Sequence, residues 1–560
     1  MTRFVHARRR TVVVACVLVA GLVALSSAAL AGAFAGTPST AQVNSAKQQF
    51  AQQLLKNQAV RLTWPAQLFL RMQASGSTQL TQAFAGQAPT LPSGTAGAAA
   101  AAPAIPPAGL PNVRVNNPAQ DTHQVDQTTQ SETTIAVHGS SVAVGYNDSQ
   151  QGLLTLTAGA DLNGYSYSTN GGASFTDGGT VPNAPGFVNL GDPWLGSNRA
   201  GTMFYSSLAA DFFNGNLDVA VARSTNGGKT WSTPVPVFRP TTPYMGDKDA
   251  LAVGRDPNIA TRDNLYVAYD DFFFNTMTSQ SFTGLPVARS LNGGLTWQLH
   301  YADTFTPPPN TCDFQQYIGA QPLVNPVNGT LYVVAEKISR VDPTCTGAPT
   351  TFSEVFFKST DGGQHFGPPH GVTIATVTQA TPNGELFLGD GRYARTIEFP
   401  TIALQGSTLR VAWNDGGSPD GHSHIRLATS TNGGSTWNAA PFVTSGTTTD
   451  EIQPALSTVS GVLRLLYYHR YANNTIDVWI GNSTNGVSFV TKRVTSVPFR
   501  GSLTIPQFDP VLAPGYMGDY IANVGSGSHV YFAWGDNRDT VTDFTFPQGR
   551  NDPDVFFAKQ

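Results

Sequence analysis

Charge is scarce in this chain. Only 12% of its 560 residues are Asp, Glu, Lys or Arg, the formal net charge is −4, and no Lys/Arg-rich run follows the first ten residues. Without a basic footprint, no nucleic acid partner is expected. Cysteine is scarcer still, with Cys16, Cys312 and Cys345 alone, and no metal-ligand spacing surrounds any of them. Neither a Gly-x-Ser-x-Gly element, a phosphate loop nor a zinc motif occurs, so those enzyme classes lose their support. What is plentiful is glycine (56), proline (38), phenylalanine (32) and tyrosine (17), the composition of a turn-rich β protein.

The front of the chain differs from the rest. Arg3, Arg8, Arg9 and Arg10 precede the apolar run Thr11 to Leu25, which passes into small residues ending Ala29-Leu30-Ala31 and Ala33-Phe34-Ala35. Residues 1–35 read as a secretory signal peptide cut after Ala31 or Ala35; left uncut, the segment would tether the protein to a membrane. Residues 36–87 are Gln- and Ala-rich with helical spacing, in AQVNSAKQQFAQQLLKNQ and again around PAQLFLRMQ. Residues 88–112 form an Ala/Pro/Gly tract with little to bury, hence a linker. Once Cys16 leaves with the signal peptide, Cys312 and Cys345 remain as a pair in an exported chain. A disulfide is expected between them; two free thiols are the alternative.

From residue 113 onward the chain repeats. The stretch STNGGKTW at Ser224 recurs at Ser168 (STNGGASF), Ser290 (SLNGGLTW), Ser359 (STDGGQHF), Ser430 (STNGGSTW) and, one residue shorter, Ser483 (STNGVSF). An Asn or Asp can close an Asx-turn, glycine can take positive φ, and an aromatic residue follows as a packing anchor. Successive starts lie 56, 66, 69, 71 and 53 residues apart, a period that marks an array of similar units. A strand such as Leu217–Ala222 ends at each turn. Two more precede it, as in Thr401–Leu404 and Leu409–Trp413, and one follows, giving four antiparallel strands per unit.

The motif S-x-[DN]-x-G-x-[TS]-[WF] resembles the Asp box (BNR repeat) of sialidase-like β-propellers, over roughly Glu132 to Gln560. The resemblance implies an all-β fold with residues 113–560 as one propeller. After the sixth box a further unit has three strands and no fourth, while Val113 to Thr129 lies unassigned. Seven blades closed by an N-terminal strand are therefore expected, with six blades as the alternative. Closure protects sheet edges.

In propellers the innermost strands start, and the second strands end, on the face that binds ligands. Here that face collects Glu132, Asp192, Asp247 with Asp249, Gln321, Glu398, Gln453 and Asp519, together with Asp148, Glu336, His469 and Arg470. Either these groups stitch neighbouring blades, or crowded carboxylates supply a proton donor near neutrality. A sialidase-like enzyme needs arginines to fork onto a substrate carboxylate, a Tyr–Glu nucleophile pair and an acid. The resemblance implies Arg395, Arg470 and Arg538 as the clamp, with Asp519 and Asp249 beside it. Tyr516 or Tyr520 with Glu398 would form the nucleophile pair, and Asp148 or Asp192 the acid/base. The chain departs from that family at its first blade, where Ser131-Glu132-Thr133 replaces Arg-Ile-Pro.

The expected function is that of a secreted or cell-surface, monomeric, glycan-acting protein, an exo-acting glycoside hydrolase. The alternatives are a non-catalytic carbohydrate- or protein-binding scaffold and a polysaccharide lyase using His469 and Tyr471. No cofactor is expected; a structural calcium on the acidic rim is left open.

Overall fold

The computed structural model describes residues 40–57, 60–76, 109–120, 129–149, 160–240, 243–275, 280–381, 384–389, 392–501, 516–541 and 550–560. The expected signal peptide, Cys16 and most of the linker lie outside them. Both expected helices are present: α1 is Thr40–Lys56 and α2 is Trp64–Ser75. Pro65 sits in the first turn of α2, where its missing N–H costs nothing, and Gly76 ends the helix at φ 67°. No described helix is long and apolar enough to cross a membrane.

Strands dominate the remainder. Apart from the hairpin of Glu385–Phe387 with Tyr393–Arg395, antiparallel pairing groups the described strands into seven successive sets, the second and third joined by a short parallel pairing of Tyr244 and Met245 with Asn216 and Leu217. Their innermost members are Gln130–His138, Trp194–Ser197, Tyr244–Arg255, Phe314–Val324, Thr401–Gln405, Asp450–Val459 and Ala522–Ser526. Each innermost strand touches the next, and the seventh touches the first. The last set is completed by the N-terminal strand Val113–Arg114, which pairs with Arg550–Lys559 in the register Val113↔Phe557. That pairing covers an edge that a three-stranded last set would leave open.

The apolar core lies between sets. One cluster joins Tyr266 and Val287 of the third to Tyr317, Val333 and Phe357 of the fourth. Another joins Ile135 and Val144 of the first to Tyr531 and Phe557 of the seventh. Each face of a sheet is thus buried against its neighbour, which is why these strands read as apolar on both faces.

The recurrent turns share one hydrogen-bond pattern. Ser224 Oγ donates to Asn226 Oδ1 (2.9 Å) and accepts from Gly228 N–H (3.0 Å), while Asn226 Oδ1 also accepts from Thr230 N–H (3.1 Å). The same bonds recur around Ser168, Ser290 and Ser430. At the shortened copy, Gly486 takes the place one residue earlier (2.8 Å). The second glycine presses on the preceding set at four of the five full turns, Gly172, Gly228, Gly363 and Gly434. A Cβ on Gly434, at φ +89°, would stand 2.0 Å from the Phe356 ring. Gly434→Ala is therefore expected to destabilise the protein by roughly 2–4 kcal/mol through positive φ and overpacking together, read from the urea unfolding midpoint.

Cys312, just before the fourth innermost strand, is bonded to Cys345 in the loop after Leu331–Arg340. The expected disulfide is formed.

Candidate functional site at the propeller mouth

Bulges build the mouth. The innermost strands slip register between Ser131 and Thr134, Asp247 and Ala250, Ile318 and Gln321, and Ile452 and Ala455. At or beside these slips, Glu132 (φ 54°), Lys248 (47°) and Gln453 (51°) hold left-handed backbone, as does Asp192 (55°) before the second innermost strand. Four non-glycine residues in that region cost on the order of 1 kcal/mol each or more, and such strain clusters where side chains must be aimed. All four are buried.

Glu132 is the centre of the arrangement. Its Oε1 accepts the Tyr516 hydroxyl and the Asp519 N–H (3.0 Å), and its Oε2 accepts Asn147 Nδ2 (2.8 Å). Asn147 Oδ1 in turn accepts the Asp192 N–H at 2.8 Å. Asp519 forks onto Arg395, with Nε at 2.8 Å. Lys248 Nζ lies 3.8 Å from the centre of the Tyr520 ring, 4.9 Å from Trp194 and 5.6 Å from Phe399, an aromatic cage around its ammonium. The Tyr520 hydroxyl donates to Pro193 O (2.8 Å).

Burial and crowding keep several carboxyls protonated near neutrality. Burial raises Asp192 well above the usual range, and Glu132 and Asp247 raise it further. Burial lifts Asp249 to about 7, against the pull of Lys248. Asp519 stands at about 6, lifted by burial and drawn back by Arg395. Across the channel, Glu336 and Glu354 face each other on adjacent strands, both fully buried. Burial takes Glu336 to about 7, and burial with Glu336 and Glu398 raises Glu354 well up. Beneath the mouth lies a cavity of ≈ 80 Å³, lined from every set: Thr133, Leu195, Lys248, Gln321, Thr401, Gln453 and Tyr520 among others. It has room for two or three waters, not a sugar.

The mouth itself is covered by the chain's own front segment. Arg61 exchanges two hydrogen bonds with the Gln316 amide, its N–H donating to Oε1 (2.9 Å) and its carbonyl accepting from Nε2 (2.5 Å). Leu62 O accepts from Arg395 Nη2 (3.0 Å). Thr63 donates twice to Asp247, through N–H (2.9 Å) and Oγ (2.5 Å). Burial lowers the Arg61 guanidinium below its ordinary value, and Glu336 and Glu398 oppose that shift.

Several expectations need correction. Tyr516 is paired with Glu132, not Glu398, because ring closure brings the first and seventh sets together. Glu398 instead accepts the Ala380 N–H (2.7 Å), and burial with Glu336 raises its carboxyl. The arginine clamp is not assembled, since each guanidinium has its own aspartate: Arg395 with Asp519, Arg470 with Asp450, Arg538 with Asp536. Arg538 also reaches Asn112 Oδ1 (2.9 Å) and Ser496 Oγ (2.7 Å). Asp148 accepts from Gln130 (3.3 Å) and borders a small hollow with Trp64 and Pro65, away from the Tyr516 pair. Asn414 and Gln453 are stitches between sets, as Gln453 donates to Gly518 O (2.7 Å) and to Arg395 O (3.1 Å).

A second polar cluster lies on the fifth and sixth sets. Glu451 accepts from both His424 and His469, the latter at 2.7 Å from Nδ1, with Tyr471 edge-on to the His469 ring at 4.6 Å. Among the described residues no group of His, Cys, Asp or Glu is arranged to hold a metal ion.

No family model matches the chain, and no curated protein matches it. Solved structures do. An ulvan lyase, from a polysaccharide lyase family, aligns with TM-score 0.46 and 10% identity over 74% of this chain and 92% of its own. The NanB sialidase of Streptococcus pneumoniae gives 0.37 and 10% over 75% and 83%. An α-L-arabinofuranosidase of Fusarium graminearum gives 0.38 and 12% over 64% and 92%. At these values the likeness assigns no chemistry, and fold alone does not fix function.

Proposed function

We propose that this protein acts on glycans at the propeller mouth, as an exo-acting glycoside hydrolase with Tyr516 as nucleophile and Glu132 as its base. The observation that carries the reading is the buried Tyr516–Glu132 hydrogen bond, ringed by carboxyls that burial holds protonated. Glu132 takes the phenolic proton as the Tyr516 oxygen bonds to the anomeric carbon. Asp192 gives its proton to the departing glycosidic oxygen, and water then displaces the tyrosine with the two proton transfers reversed. Arg395, Arg470 and Arg538 are each paired with an aspartate, so a neutral sugar suits the mouth better than a sialic acid. The Cys312–Cys345 bond supports export.

The lyase reading keeps one specific observation, the Glu451–His469 pair beside Tyr471, a base poised to take a proton next to a uronate carboxyl. A screen of fluorogenic glycosides and polyuronides separates the two. Reducing-sugar release lost in Tyr516→Phe supports the hydrolase. An unsaturated product, lost in His469→Gln and kept in Tyr516→Phe, replaces it with the lyase. Neither product from any substrate leaves a binding scaffold.

A further inference from the structure

The mouth holds a ligand already, and that ligand is peptide. Five hydrogen bonds from its polar groups are spent on three consecutive residues, Arg61, Leu62 and Thr63. The contacts are of the kind a receptor makes. Gln316 grips one residue's backbone on both sides, as an added strand would be gripped. Asp247 takes an N–H and an O–H from one residue, as a carboxylate takes two adjacent hydroxyls of a sugar. The one cation of the segment, Arg61, is half-buried, its guanidinium lies 6.0 Å from the centre of the Phe352 ring, and Glu336 and Glu398 favour its charge against the cost of burial. Arg395, the guanidinium nearest the Tyr516 pair, gives its remaining Nη2 hydrogen bond to Leu62 O.

The segment is anchored from the side rather than from below. Helix α2 buries Leu68, Phe69 and Met72, Phe69 meets Phe212 at 5.5 Å, and Pro65 packs near Gly191. Between Gly76 and Gly109 the sequence has 32 residues, enough chain to reach about 100 Å when extended. Covalent attachment therefore does not force residues 60–76 to stay on the mouth, and the side-chain contacts do.

We propose that residues 60–65 are an internal pseudo-ligand of the propeller mouth, held in cis by Asp247, Gln316 and Arg395, which an external ligand must displace. The inference concerns regulation of the site assigned above, and its glycan arm rests on that reading. Occupancy itself does not.

The test uses the full chain and a synthetic peptide of residues 60–76. In the wild type, the Arg61 and Thr63 amides are expected to exchange with deuterium through local opening, at least tenfold faster than the buried strand amides of Leu251 and Val267. Exchange as slow as in those strands would make the segment an integral part of the ring and overturn the proposal. That measurement needs no variant to fold. Arg61→Glu removes the segment's cation and sets a carboxyl in its half-buried place, and Thr63→Ala removes one bond to Asp247. The double variant is expected to speed exchange at 61–63 a further tenfold and to bind the wild-type peptide at micromolar Kd, at least tenfold more tightly than the wild-type protein does. A peptide carrying Arg61→Glu should bind at least tenfold more weakly. Equal binding to both proteins, or none to the opened one, overturns occupancy in cis. With a glycoside in hand, turnover should rise at least tenfold in the opened variant and fall again on adding peptide. Peptide binding without any turnover removes the glycan reading and leaves the pseudo-ligand standing.

Discussion

In the opened Arg61→Glu/Thr63→Ala chain, Glu132→Gln and Tyr516→Phe each lower kcat/KM by about 10²–10⁴-fold, and together they cost no more than the worse of the two. The two groups form one unit. The tyrosine needs a base to become a nucleophile, since burial followed by Asp519 and Glu132 raises its hydroxyl far above the ordinary value. Besides the Tyr516 hydroxyl, the Glu132 carboxyl accepts N–H donors from Asn147 and Asp519, which hold it in place. Glu132→Gln keeps the shape and the left-handed backbone but loses the charge. A fall confined to KM would mean the pair only binds, and additive losses would mean the residues act apart. Unchanged melting temperatures are required for the comparison, because Glu132 also ties the first set to the seventh.

Stability is expected to fall as pH rises from about 5 to 8. Asp247 and Asp519 at about 6, and Asp249 and Glu336 at about 7, hold protons in the folded protein that the unfolded chain releases near pH 4. Between those limits the folded state binds more protons than the unfolded one, so the free energy of unfolding decreases with pH. At about 1.4 kcal/mol for each pH unit between 5 and the folded value near 7, Asp249 alone accounts for about 3 kcal/mol of that fall. His424 adds to the trend: burial opposes its charge, yet hydrogen bonds to Glu451 and Asp420 raise it, and that contribution is lost as pH climbs through its folded value. On the acid side the sign reverses. Burial pushes Glu451 up, but His424 and His469 outweigh it and hold it at about 2, so its stabilisation is lost as pH falls from about 4.5 through 2. Urea midpoints at pH 5, 6.5 and 8 should decline in order, and Asp249→Asn should flatten the decline. A midpoint that rises toward pH 8 would contradict the protonated mouth.

How far the sequence discloses this depends on distance along the chain. The turns are local, each written within eight residues, so all six and the strands ending at them are legible. The closing strand at Val113 is legible by subtraction, because the last unit visibly lacks a fourth member. The Tyr516–Glu132 bond spans 384 residues and exists only because the ring closes, so nothing near Tyr516 names its partner. One signal was present: Glu132 occupies the same place in its unit as Asp192, Lys248 and Gln453 do in theirs. The arginine clamp misleads for the opposite reason. Each arginine satisfies the chemistry in isolation, and only the fold shows Asp519, Asp450 and Asp536 neutralising them. The front segment reads correctly as helical from its spacing, but amphipathic spacing cannot say which surface a helix will cover.

The pairing of Val113 with Phe557 sets an order of assembly. A ribosome delivers the first of these residues 444 positions before the second, so the nascent protein carries an unmatched sheet edge at both ends until Arg550–Lys559 has been made. Only then does the bowl over which Arg61 and Thr63 lie come into being. The front segment is consequently among the last parts to find a seat, and a chain lacking Arg550–Lys559 would lose the seat along with the seam.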